Sequence, residues 1–274
     1  MTTMQKIIKY LALAFAIFLS VSIISGICGA LFSVTSFFGK NTSGEMTDMT
    51  FEKNFSGISI NISAAELDIK TGEEFRVETN HKYLECETLG DILKINEKRS
   101  FLASHPGGMK VILTVPKESV FDYADISTGA GSVTIDTIRA SSLSVDLGAG
   151  ELKAEQLYAL NDAEIDGGAG SVTISGGYLN NADIDMGIGE LNLTSELDGK
   201  SSIDYGVGET NLVLVGTDND YKIELDKGVG EAWLDGKKMS DDSVYGGGSR
   251  QIEIDGGIGE LNITFKPMPA KGQI

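Results

Sequence analysis

Between residues 116 and 266 apolar and polar positions alternate with period two, in short runs rich in Val, Ile and Leu. That is the pattern of half-buried strands. The runs are spaced around a recurring Gly-x-Gly: GAGS at 129–132, GAGE at 148–151, GAGS at 168–171, GIGE at 187–190, GVGE at 206–209, GVGE at 228–231 and GIGE at 257–260. Successive copies start 19, 20, 19, 19, 22 and 29 residues apart. Three residues before each first glycine stands an apolar residue: Ile126, Val145, Ile165, Ile184, Ile203, Leu225 and Ile254. Four and six residues after it the chain is usually apolar again, as at Val133 and Ile135, Val172 and Ile174, Leu191 and Leu193, or Leu261 and Ile263. Each unit reads as strand, Gly-x-Gly corner, strand, and a looser return through a residue such as Leu157, Leu179 or Leu197.

A unit of this length cannot bury a core alone, but it can when stacked on its neighbours. One coil adds one strand layer, roughly 4.8 Å, so seven make a rod body on the order of 30 Å. The predicted class is all-β: a right-handed parallel β-solenoid of coils about 19–20 residues long. Gly129, Gly131, Gly148, Gly150, Gly168, Gly170, Gly187, Gly189, Gly206, Gly208, Gly228, Gly230, Gly257 and Gly259 are its expected structural corners, because glycine tolerates φ > 0. The residue between each pair (Ala130, Ala149, Ala169, Ile188, Val207, Val229, Ile258) is always apolar and is expected to point into the core. INISAAELDI at 60–69 aligns with IDMGIGELNL at 184–193, with Ser63 and Ala65 where the glycines stand. Residues 55–115 therefore read as irregular first turns, 116–266 as the regular solenoid and 267–274 as a tail. No proline occurs from 117 to 266, which fits an unbroken strand stack.

Ahead of this region, Tyr10 to Gly39 carries no charged residue. A run of that length predicts a transmembrane helix. A cleaved signal peptide, the alternative, has an apolar region of roughly 7–15 residues and a small-x-small site, and Cys28-Gly29-Ala30 matches such a site poorly. Residues 1–40 are thus read as a short tail and anchor, and 41–54 as a linker. Lys6 and Lys9 precede the helix, whereas Glu45, Asp48 and Glu52 follow it. Positive flanks stay cytoplasmic, so the expected placement is single-pass in the plasma membrane, N-terminus inside and solenoid extracytoplasmic. Cys86 is the one cysteine beyond the apolar run, so no intramolecular disulfide is expected there.

The chain carries a net charge of −18, and residues 1–40 hold three lysines and no acid. A field of that sign repels polyanions. It disfavours nucleic acid and bare anionic lipid head groups as partners and leaves metal cations and cationic surfaces open. The acids form two series. Asp146, Asp166, Asp185, Asp204, Asp226 and Asp255 stand two residues before a corner, and Glu151, Glu190, Glu209, Glu231 and Glu260 just after one. In register, equivalent carboxylates would lie about one strand spacing apart. They are weak candidates for Ca²⁺, which takes six to eight oxygen ligands; the competing reading is a solvated edge, with aspartates opening turns. No other cofactor is expected.

Five residues after each first glycine the chain reads Thr134, Lys153, Thr173, Asn192, Asn211, Trp233 and Asn262. Trp233, the only tryptophan, breaks a polar series. It is a possible contact residue, since aromatics are enriched at binding hot spots, or it packs under the insertion 235–250. His81 and His105 are the only histidines and neither lies in a repeat. Nothing supplies the partners that a hydrolytic triad or a His-rich metal site requires. The Gly-x-Gly is no dinucleotide fingerprint, which needs a third glycine and an opening helix.

The short strands around Gly-x-Gly-[Glu/Ser], the Val115-Pro116 step before the first full copy and the N-terminal apolar run resemble the bacterial putative-adhesin β-strand-repeat family, over roughly residues 50–265. That resemblance implies an envelope or cell-surface setting and supplies no catalytic residues. The expected function is a non-catalytic, membrane-anchored surface protein, an adhesin or a structural envelope component, with an envelope or surface protein or glycan as partner. An envelope-stress regulatory component acting by contact with membrane partners is the alternative, and a polysaccharide-processing β-helix enzyme a third. Oligomeric state is open, because exposed end strands can pair with another copy.

Overall fold

The computed structural model describes residues 46–98 and 109–268. The apolar run Tyr10–Gly39 and His105 lie outside the described residues. Among those described, no helix is long and apolar enough to cross a membrane.

All secondary structure described is β. In chain order the strands are β1 (Thr47–Phe51), β2 (Gly57–Gly72), β3 (Phe75–Thr79), β4 (Leu84–Leu89), β5 (Ile92–Glu97), β6 (Lys110–Pro116), β7 (Phe121–Ile174), β8 (Gly177–Asn180), β9 (Ala182–Asp198), β10 (Lys200–Val215), β11 (Tyr221–Asp226), β12 (Val229–Leu234), β13 (Lys237–Lys238), β14 (Ser243–Gly246) and β15 (Arg250–Lys266). They join one 15-stranded sheet, and β7 alone runs through three Gly-x-Gly corners. The coils stack parallel and in register. Ile165 pairs with Ile184 and Gly170 with Gly189; Ile203 pairs with Ile184 and Gly208 with Gly189. The degenerate copy behaves as expected: Ile60 lies opposite Ile126, Ala65 opposite Gly131 and Leu67 opposite Val133.

Spatial order departs from chain order at both ends. β15 lies between β10 and the β11–β12 layer, with Ile254 opposite Ile203, Ile223 opposite Ile252 and Val229 opposite Ile258. The seventh corner therefore stacks on the fifth, and the sixth forms the terminal layer. The long interval between the last two copies lets the chain double back. A strand held between two layers cannot fray as a terminal strand would. At the other end β2 lies between β7 and a layer made of β5 and β6. Both ends of the parallel stack finish in antiparallel strands: β13 and β14 at one, β4, β3 and β1 at the other. These act as end caps, which stacked repeats require, and Lys237 and Lys238 place charge on one such edge, where lysine discourages further pairing.

The core is a set of stacked apolar columns. Ile60, Ile126, Val145, Ile165, Ile184, Ile203, Ile254 and Leu225 are all buried, and so are Leu67, Val133, Leu152, Val172, Leu191 and Leu261 after the corner. In the copies other than the sixth, where Lys227 stands, the residue just before the first glycine also faces inward, and there large side chains are set against glycines. Met186 fills the space above Gly167, where a Cβ would lie 2.4 Å from the methionine Sδ; Tyr205 does the same to Gly256, at 2.3 Å from its Oη. Phe51, Phe55, Phe75 and Phe121 close the first end, with successive centroids 5.6, 5.0 and 6.2 Å apart.

The two glycines of a pair have different reasons to be there. In six of the seven copies the second glycine takes a left-handed φ, for example +147° at Gly189 and +150° at Gly208; among the first glycines Gly228 alone does so, at +60°. The first is set by proximity: a Cβ on Gly187 would sit 2.3 Å from the carbonyl oxygen of Gly168. At Gly189 both apply, since its Cβ would lie 1.7 Å from the Gly170 oxygen. The corner is thus a place of close backbone stacking as well as of unusual φ. The residue between the glycines does not enter the core as expected. Ala130, Ala149, Ala169, Ile188 and Val207 are half-buried, while Ile258 and Val229 are 41% and 58% exposed. Inward and outward positions alternate along the strand, and outside the sixth copy the residue before the first glycine has already taken the inward place.

Gly189→Ala is expected to destabilise the fold by more than about 4 kcal/mol, because both the φ and the neighbouring carbonyl oppose a Cβ. Gly236→Ala has φ +72° but no atom within 4 Å of the new Cβ, so about 1–2 kcal/mol is expected. Denaturant melts of the two variants measure the difference; equal losses would show that φ alone sets the requirement.

Candidate functional site at the corner edge

The corner exposes three parallel rows. On its upstream side the aspartates stack as expected, in the spatial order Asp146, Asp166, Asp185, Asp204, Asp255, Asp226. Asp166 lies opposite Asp185, Asp204 opposite both Asp185 and Asp255, and Asp226 opposite Asp255. Side chains two residues apart share a face, so a second row joins them: Glu164 opposite Asp183, then Ser202, Glu253 and Glu224. The sequence reading missed this row, although the same two-residue step would have revealed it.

Like charges directly opposite one another destabilise a sheet. Burial, then Asp185 and Asp255, push the Asp204 carboxyl up to about 6. Burial, then Asp185 and Asp146, push Asp166 up as well. Asp204 Oδ1 is buried and receives no hydrogen bond from a fixed donor; across from it is the Asp185 carboxylate. A proton shared between the two carboxyls would satisfy that oxygen and relieve their repulsion.

Downstream of the corner Glu190, Glu209, Glu260 and Glu231 stack in that order. Their charge is met by an asparagine ladder on the same face. Asn192, Asn211 and Asn262 each donate an amide hydrogen to the glutamate of their own coil, at 2.7, 2.9 and 3.3 Å. Asn262 also donates to Asn211 Oδ1 at 3.2 Å, and Asn211 to Asn192 Oδ1 at 3.1 Å. Lys153 pairs with Glu151 and Lys238 with Glu231, both solvent-exposed and so of small energetic weight. Between the acidic rows runs the apolar one, flat where it is alanine and raised at Ile188, Val207, Ile258 and Val229.

The two ladders lie on opposite sides of the glycine corner and do not converge. Among the described residues, the one group of three acids whose ligand atoms lie within 4.8 Å of one another is Asp226, Asp241 and Asp242, all exposed. Only Asp226 comes from the predicted candidates; the other two come from the insertion. Trp233 is half-buried, opposite Asn262 on one side and Lys238 on the other, with the ammonium 5.8 Å from its ring centre. It lines an open groove of about 330 Å³ together with Glu231, Gly236, Glu260, Asn262, Ile263 and Thr264. The insertion thus flanks the tryptophan without covering it. Cys86 is a free thiol pushed up to about 11 by burial, far from the thiolate form that reacts. His81 is buried near Glu97, 3.6 Å away, remote in sequence from every corner.

The raised Asp204 pKa makes stability depend on pH. A carboxyl favoured in its neutral form contributes fully below the unfolded-state value near 4, and that contribution is lost as pH rises through about 6. Acidification from pH 7 to 4.5 should therefore stabilise the fold. Asp204→Asn should gain about 1 kcal/mol at pH 7, a figure reduced from about 1.4 kcal/mol per pKa unit because the site is partly solvated. Melts of both proteins across that range test this; parallel pH profiles would remove the shared-proton account. Asp198, held low by the Gly199 amide and the Tyr178 hydroxyl, acts oppositely, losing its contribution as pH falls below about 4.

Several solved structures align with the chain. A putative cell adhesion protein from Clostridium sporogenes is 16% identical, with 81% of this chain and 99% of that one covered and a TM-score of 0.34. A putative adhesin from Bacteroides fragilis is 13% identical, with 81% and 98% covered and a TM-score of 0.36. A putative lipid binding protein from Parabacteroides distasonis is 15% identical, with 80% and 98% covered and a TM-score of 0.32. No curated protein sequence matches the chain. The family model described as Toastrack DUF4097 matches residues 119–263, more than half of the chain, and the protein belongs to the Toastrack DUF4097 family.

Proposed function

We propose that this protein is a non-catalytic interaction rod, anchored in the plasma membrane by residues 10–39 and carrying its solenoid on the extracytoplasmic side. The observation that supports this most is the character of the outward surface. It consists of repeating rows, carboxylate, apolar, carboxylate and amide, laid over a core that is filled. Catalysis needs a few different groups converging on one point; rows of identical groups offer a long contact surface instead. Anchoring is supported by the uncharged run and by Lys6 and Lys9 ahead of it. The partners of this reading are envelope or surface proteins or glycans, approached along the edge or at the terminal layer.

Alkaline-carbonate extraction and externally added protease test the placement on intact cells producing the full chain. The protein is expected to stay with the membrane pellet and to be cut from outside. Release by carbonate, or protection from protease in cells with intact membranes, would sink the anchored extracytoplasmic reading. Glycan turnover by the purified full chain, abolished by a single acid-to-alanine change, would overturn the non-catalytic one.

A further inference from the structure

The asparagine ladder ends at the terminal layer in an unusual way. Within the ladder each amide oxygen is used: Asn192 Oδ1 accepts from Asn211, and Asn211 Oδ1 from Asn262. The next coil should supply a fourth asparagine, or some other donor, to Asn262 Oδ1. It supplies Trp233. Among the described residues nothing donates to Asn262 Oδ1, and the Trp233 indole N–H has no protein acceptor. Both residues line the groove of about 330 Å³, at the lower end of the size range of small-ligand clefts, about 300–1,000 Å³.

We propose that this groove is a binding subsite for a neutral glycan, one or two pyranose rings in length. The proposal deepens the interaction-rod reading and rests on it. Its chemistry is complementary on each side. The indole offers a flat apolar platform for the C–H face of a sugar ring, and its N–H offers a donor. Asn262 Oδ1 and the carboxylates of Glu231 and Glu260 are acceptors for sugar hydroxyls. Gly236, with no atom within 4 Å of where its Cβ would be, keeps the mouth beside the hairpin open. Glu231 and Glu260 also set the selectivity. They repel a uronate or any other acidic sugar, while Lys238 is already held by Glu231 and by the ring. The tryptophan thus ends the ladder and leaves its last acceptor facing the groove.

The chain has a single tryptophan, so its emission reports on this groove directly. The test titrates the full chain in detergent micelles with cellotriose and chitotriose, with trigalacturonate as the acidic counterpart. A saturable change in emission with at least one neutral sugar is expected, with a Kd on the order of 1 mM. Trigalacturonate should bind about tenfold more weakly. By calorimetry, Trp233→Ala should lower the neutral-sugar affinity about tenfold and Trp233→Phe less. Glu260→Gln should narrow the gap between neutral and acidic sugars while keeping the fluorescent probe. Absence of any saturable change with both neutral sugars overturns the proposal. So does an unchanged affinity in Trp233→Ala, with Trp233→Phe as the control for folding. Equal binding of trigalacturonate overturns the assignment of a neutral ligand. These outcomes leave the carbonate and protease results untouched, so failure here and failure of membrane placement are told apart.

Discussion

The structure depends on backbone-to-backbone contact at the Gly-x-Gly corners. At each corner the second glycine of one coil lies so close to the carbonyl of the coil before it that a Cβ would approach the oxygen to 1.7–2.0 Å. No other residue fits there. Because the contact repeats from Gly131 to Gly259, it holds the coils in one register. Register decides everything else, since a slip of one residue would turn every core side chain outward.

Given that register, the core and the surface follow together. The isoleucine column and the size-matched pairs Met186–Gly167 and Tyr205–Gly256 fill the interior. The same alternation leaves one carboxylate row before the corner and another after it. The fold handles the two rows differently. Downstream, the glutamates receive amide hydrogens from the asparagine ladder, so their charge is satisfied at little strain. Upstream there is no amide ladder: Asp146 accepts from the Ser127 hydroxyl and Asp226 from the Gly228 N–H, while burial and then the neighbouring aspartates make Asp204 hold its proton to higher pH. The upstream side of the edge is therefore pH-sensitive.

The ends break the repeat, and functional particularity concentrates there. An array of identical coils has identical rows and no unique point. The doubling back of the chain creates one: β15 tucked beneath the β11–β12 layer, the β13 hairpin beside Trp233, and an asparagine ladder stopped one residue short. At the opposite end, four phenylalanines close the core where the chain rises from the N-terminal segment.

The repeat, the strand alternation, the core columns and both acidic ladders could be read directly from the sequence, because a period of 19–20 residues puts chemically equivalent groups at equivalent positions whatever the coil's shape. The degenerate copy at 60–69 was legible for the same reason. The spatial order of the last coils was not. Insertion length shows that the chain can double back, but only pairing energetics decide that residues 250–266 enter between two earlier layers. The exposure of Ile258 and Val229 was also hidden, since an apolar residue between two glycines satisfies either face until the inward position next to it is known to be filled. The open amide oxygen of Asn262 depends on which coil follows it in space, and in the sequence the coil before it, not after it, carries Trp233. Local pattern determined which residues are strand, corner and core; tertiary stacking alone decided which of them are neighbours.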